Sequence, residues 1–110
     1  MTFSGDNFAY DDDTFKPGKA LMSYADSVNV YLQNHPDKQL TIIGHTDSQG
    51  SDAYNLDLGL RRAKSVKAYF EALGIGNVIN AESKGETQPV VPNDTKANQE
   101  KNRRVNFLID

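Results

Sequence analysis

A chain of 110 residues suits one domain with one modest core. Fifteen acids against twelve bases give a formal net charge of −3, so there is no basic stripe to neutralise phosphates, and nucleic acid is a poor partner. Cysteine is absent, which removes disulfides and thiolate metal ligands and leaves no redox clue to compartment.

The hydrophobic fraction of 37% is low for a globular chain, but the apolar residues are clustered, and clustering favours a folded domain over a disordered one. Thr2 to Tyr10 reads as a strand, interrupted near Gly5-Asp6-Asn7, with a polar exit at Asp11-Asp12-Asp13-Thr14. Pro17-Gly18 punctuates a helix start, because proline is tolerated in a first turn. Leu21, Ala25, Val28 and Leu32 then recur at three- and four-residue steps and form one apolar helical face, which Asn34-His35-Pro36-Asp37 stops. Leu40 to Ile43 is a second strand whose continuous apolar character suits a central place in a sheet.

Ser48 to Ser51 is loop, and Ser51 can cap the next helix, with Tyr54 where a capping box prefers Glu or Gln. Leu58, Ala63, Val66, Phe70 and Leu73 give the face of that helix, and Leu73-Gly74-Ile75 ends it as a glycine C-cap followed by an apolar contact. Val78 to Lys84 is a third, weaker strand, diluted by Asn80 and Glu82. Gly85 to Lys101 is a long polar excursion holding at most a short helix from Thr95 to Lys101, and Val105 to Ile109 is the last strand. Strands alternating with helices in the order β-α-β-α-β-(α)-β predict an α+β layered domain with helices on a sheet. No apolar run approaches the roughly 20 residues of a membrane span.

Chemistry concentrates where the second strand stops. Gly44-His45-Thr46-Asp47 ends the strand, and Asn55 and Arg62 follow on the next helix. An acid at a strand end and a base on the following helix can converge on one small ligand carrying both an ammonium and a carboxylate. Asp47 would take the ammonium, and the planar guanidinium of Arg62 would take the carboxylate. The alternative for Asp47 is to accept backbone N–H groups in its own turn, a common use of Asp in loops. Arg61 and Arg62 cannot point the same way, because the face with Ala63 and Val66 is apolar. Thr46 and Asn55 can bond the same ligand or satisfy loop backbone. His45 invites a metal reading, but only His35 could join it, and zinc needs three or four ligands, so no metal is assigned. Asp11-Asp12-Asp13 lacks the alternating ligands and turn glycine of a calcium loop. Neither a phosphate-binding loop nor a nucleophile set is present, so no cofactor and no catalysis are expected.

Gly44-His45-Thr46-Asp47, Gly50, Tyr54-Asn55, Leu58, Arg62-Ala63, Val66, Leu73-Gly74 and Asn102-Arg103-Arg104-Val105 together resemble the OmpA-like peptidoglycan-binding domain, from about Phe8 to Ile109. The resemblance implies a mixed four-stranded sheet with helices packed on one face, and residues 1–110 as a single domain excised from a larger Gram-negative envelope protein. It implies a non-catalytic module that holds the diaminopimelate residue of the peptidoglycan stem peptide in the periplasm, with the outer membrane reached only through parts outside this chain. The alternative it carries is a protein-docking module of an envelope or motor complex, with Gly85 to Lys101 as the docking surface. It selects Arg62 over Arg61, places Asp13 and Arg103 beside the ligand with Asp47, Thr46 and Asn55, and leaves Arg104 inside the fold. One departure stands out. The family usually has Ser after Leu58, whereas this chain has Gly59. Glycine is weaker in a helix interior by roughly 1 kcal/mol, so the helix is expected to start late or bend there.

Overall fold

The computed structural model describes residues 2–4 (backbone only), 19–46, 51–85, 87, 92, 95, 102 and 104–110. In chain order these form β1 (Thr2–Ser4), α1 (Lys19–Gln33), β2 (Leu40–His45), α2 (Asp52–Ala72), β3 (Ile79–Gly85) and β4 (Arg104–Ile109). Residues 5–10 of the expected first strand, the acidic run 11–13 and the expected short helix at 95–101 lie outside the described residues, apart from Thr95.

The sheet is mixed and runs β1-β4-β2-β3. β2 is interior, as its apolar run predicts, parallel to β3 and antiparallel to β4. The short β1 edges β4 in antiparallel register, with Phe3 opposite Val105. Past the end of β2·β4, Gln39 and Asp110 exchange backbone bonds of 3.0 Å each. Among the described residues the domain is thus α+β, with α1 and α2 against a mixed sheet.

Both helices share one core on one face of that sheet. Leu21, Ala25, Val28 and Leu32 from α1 meet Ala63, Val66 and Phe70 from α2 over Leu40, Ile42, Val105 and Phe107. Phe107 joins the two layers, its ring 5.3 Å from Tyr24 on α1 and 5.4 Å from Phe70 on α2. Each fully buried aliphatic or aromatic side chain contributes roughly 1.5–3 kcal/mol. β3 tolerates Asn80, Glu82 and Lys84 because it is an edge strand. Ile79, Ala81, Ser83 and Gly85 alternate with them, the buried ends Ile79 and Gly85 closing that face.

The helix ends follow local chemistry. Ser51 is the N-cap of α2, its Oγ accepting the Tyr54 N–H at 3.1 Å. At the C-terminus the Leu73 and Gly74 N–H groups bond Phe70 and Glu71 carbonyls at 3.1 and 3.0 Å, with Gly74 at φ +87° and Ile75 buried beyond it. The Asn77 side chain donates to the carbonyls of His35 (3.0 Å) and Lys38 (2.9 Å), tying together the connections that enter β2 and β3. His35 itself bonds the Tyr31 carbonyl and stacks on the Tyr31 ring at 4.0 Å.

One expectation is overturned. α2 does not start late: it begins at Asp52 and continues through Gly59 to Ala72. Gly59 is buried against β2, and its missing side chain is required by a close helix–strand approach that offsets its poor helix propensity.

Candidate functional site

Among the described residues, the buried polar side chains are His45, Thr46, Asn55, Arg62, Asn102 and Arg104. All but one lie at the C-terminal end of β2 or on elements that meet it: His45 ends β2, Thr46 follows it, Arg104 opens β4 opposite His45, and Asn55 and Arg62 share the inward stripe of α2. Asn102 lies two residues before β4, and its carbonyl accepts from Arg104 Nη1 at 3.4 Å.

α2 presents this stripe because of its spacing. Asn55, Gly59, Arg62 and Val66 recur at four-, three- and four-residue steps, so a polar first turn grades into an apolar core face. Gly59 is the point of closest approach. A Cβ added to Gly44 of β2 would lie 2.8 Å from the Gly59 carbonyl carbon. Arg62, one turn further on, is therefore held against the sheet at 1% exposure. Arg61 turns outward and pairs with Asp57 at 2.9 Å in a solvent-exposed i,i+4 bridge. The two arginines are thus separated as the apolar neighbours Ala63 and Val66 require.

Thr46 is anchored from the neighbouring strand. β3 carries one extra residue, so that Gly44 faces Ser83 but His45 faces Gly85. The Thr46 N–H donates to the Gly85 carbonyl at 2.9 Å. Gly85 has φ +53°, and a Cβ there would lie 3.1 Å from the Leu56 nitrogen and 3.3 Å from the Asn55 carbonyl carbon. Gly85 therefore touches Thr46 on one side and the first turn of α2 on the other.

His45 is a structural residue. The Asn106 side-chain amide nitrogen lies 3.0 Å from its Nε2. Burial, then the charges of Arg104 and Lys84, push its pKa from 6.5 down to about 4, so the ring is neutral at physiological pH. Burial also lowers the pKa of Arg104 from its ordinary value. No group of three or more His, Asp or Glu among the described residues is arranged to hold a metal ion.

Of the residues singled out in the sequence, Thr46, which follows β2, and Asn55 and Arg62 on the inward face of α2 are all buried, while Asp47, Asp13 and Arg103 lie outside the described residues. Sequence reasoning read Gly59 as a helix weakness and missed Ser83 and Gly85 as site residues, because the roles of all three depend on strand register and helix approach. Glycine at the exit of β3 was the one local signal. A separate cavity of about 440 Å³ lies between α2 and β3, lined by Ala53, Leu56, Asp57, Leu60 and Ser83, and includes none of the candidate residues.

Comparison with known proteins gives a consistent result. A peptidoglycan-associated lipoprotein of Buchnera aphidicola is 35% identical over 93% of this chain and 67% of its own length. Outer membrane protein A of Bordetella avium is 38% identical over 99% of this chain and 56% of its own length. A photosystem I P700 chlorophyll a apoprotein A2 of Gloeobacter violaceus is 44% identical over 71% of this chain, but the shared stretch is only 10% of that protein. The chain thus spans between a tenth and two thirds of these relatives. Among solved structures, the peptidoglycan-associated lipoprotein of Burkholderia pseudomallei superposes with a TM-score of 0.85 at 30% identity, covering 97% of this chain and 89% of that one. The C-terminal domain of Helicobacter pylori MotB superposes with a TM-score of 0.78 at 25% identity, covering 100% of this chain and 84% of that one. The OmpA family model matches residues 8–103, and with that the chain belongs to the OmpA family.

Proposed function

We propose that this domain binds peptidoglycan non-covalently, without catalysis, and serves in the periplasm to anchor the outer membrane or an envelope complex to the wall. The observation that carries the reading is the burial of Arg62 on the same helical stripe as Asn55, while Arg61 forms a surface bridge. Family membership, and relatives whose names carry peptidoglycan association, point the same way.

The ligand group we assign is diaminopimelate of the stem peptide. Its side chain ends with an ammonium and a carboxylate on one carbon. Arg62 would grip the carboxylate with two parallel N–H bonds and Asp47 would take the ammonium. Thr46, Asn55, Arg103 and Asp13 would complete the site. A lysine-type stem peptide offers the ammonium alone. Each charge-assisted bond contributes about 1.5–3 kcal/mol, part of which desolvation offsets. Binding at one site is therefore moderate, and the repeated peptides of one polymer raise the overall hold.

Co-sedimentation of the purified domain with diaminopimelate-type sacculi tests this reading. Asp47→Ala and Arg62→Ala should each remove most binding with far-UV circular dichroism unchanged. Unfolding by Asp47→Ala would instead assign Asp47 to its own turn. A second reading is docking on an envelope protein, and the apolar cavity beside the exposed Leu56 favours it. In that case sacculus binding would be absent in the wild-type domain.

A further inference from the structure

Three residues outside the ligand set form a connected path to it. The Gly85 N–H donates to Ser83 Oγ at 3.1 Å, a local side-chain bond that closes the β3 bulge over the extra residue Lys84. The Gly85 carbonyl then accepts the Thr46 N–H at 2.9 Å, and a Cβ on Gly85 would lie 3.1 Å from the Leu56 nitrogen and 3.3 Å from the Asn55 carbonyl carbon. On the helix side, a Cβ at Gly59 would collide with Ser83 Oγ and lie 3.1 Å from the Gly44 carbonyl oxygen. The Ser83 hydroxyl thus occupies the space that a side chain at position 59 would fill.

We propose that Ser83 is a positioning residue for the binding site: its hydroxyl, admitted by the absence of a side chain at Gly59, locks the Gly85 bulge that fixes Thr46 against Asn55. Ser83 does not touch ligand. It satisfies the Gly85 N–H, which would otherwise turn toward another acceptor and take the Gly85 carbonyl with it. Gly85 has φ +53°, a conformation glycine adopts without strain, so the bond to Ser83 Oγ is available to select among its accessible conformations. The ligand-binding consequence rests on the function proposed above. The backbone consequence does not.

The test uses Ser83→Ala, which keeps the strand and nearly the same volume but deletes the acceptor, and Gly59→Ser, whose Cβ displaces Ser83 Oγ from Gly85. Glu82→Ala, exposed on the same strand, is the control. Amide hydrogen exchange at Gly85 and Thr46 should speed up by roughly tenfold in both variants and not in the control, as expected for loss of one hydrogen bond. The dissociation constant for a soluble diaminopimelate stem peptide should rise by roughly three- to tenfold with only a small change in Tm. Unchanged exchange at both amides would overturn the positioning role whether or not the peptide binds. Faster exchange with an unaltered dissociation constant would overturn the link from Ser83 to the ligand. Absence of peptide binding in the wild type would overturn the functional reading, and the exchange data would still decide the bulge.

Discussion

Gly44 of β2 and Gly59 of α2 meet backbone to backbone. A Cβ on Gly44 would lie 2.8 Å from the Gly59 carbonyl carbon and 3.1 Å from its Cα, and a Cβ on Gly59 would lie 3.1 Å from the Gly44 carbonyl oxygen. A side chain at Gly44 must lift the helix from the strand. Because Thr46 is two residues beyond Gly44 and Arg62 is one turn beyond Gly59, this contact sets the distance between the two halves of the candidate site.

The pair is not symmetric. At Gly44 the added methyl meets only helix backbone, which cannot move without shifting α2. At Gly59 it meets the Ser83 hydroxyl, which can rotate, and alanine recovers roughly 1 kcal/mol of helix propensity. Gly44→Ala should therefore destabilise the domain by about 3 kcal/mol, at the upper end for overpacking, and Gly59→Ala by about 1 kcal/mol or less. Urea denaturation measures both. Equal midpoints for the two variants would show that the helix does not rest on the strand at these glycines.

Acid should destabilise this domain through His45. Its folded pKa of about 4 lies below the unfolded value of 6.5, so the unfolded chain takes up the proton first. The contribution is fully present above pH 6.5 and is lost as pH falls towards 4, by at most about 3 kcal/mol. In His45→Gln the pH profile of stability between 6.5 and 4 should flatten. A variant slope equal to the wild-type slope in that window would assign the acid sensitivity to other groups.

The two neighbouring arginines should behave oppositely. Arg61→Ala removes an exposed bridge to Asp57 and should change stability and wall binding by less than about 0.5 kcal/mol. Arg62→Lys keeps the charge but loses the paired donors, and should recover only a small part of the binding lost in Arg62→Ala. Titration of each variant with a soluble stem peptide checks the contrast. A larger loss from Arg61→Ala than from Arg62→Ala would move the site to the other face of α2.

Much of this fold is legible in local sequence. Leu21, Ala25, Val28 and Leu32 mark the buried face of α1, Leu40 to Ile43 mark the central strand, and Ser51 and Gly74 mark the limits of α2. Each of those signals is contained within a few residues. The first turns of α2 were harder to read because their inward residue, Asn55, is polar and breaks the apolar stripe. Gly59 reads as a helix weakness until Gly44 is placed opposite it, a relationship between distant segments that no local propensity encodes. The pairing of His45 with Arg104 and the bulge at Lys84 likewise depend on strand register. Apolar Ala63 and Val66 show only that Arg61 and Arg62 diverge; the family resemblance selects Arg62, which the structure buries while Arg61 stays exposed.

The central claim is recognition of an ammonium and a carboxylate on one carbon. Isothermal titration of the wild-type domain with two soluble stem peptides, identical except for diaminopimelate or lysine at the third position, tests it most directly. The lysine peptide lacks only the carboxylate assigned to Arg62. The diaminopimelate peptide should bind at least tenfold more tightly, as expected for loss of a charge-assisted bond worth about 1.5–3 kcal/mol, and Arg62→Ala should abolish that preference. Equal affinity for the two peptides in the wild-type domain would contradict the account.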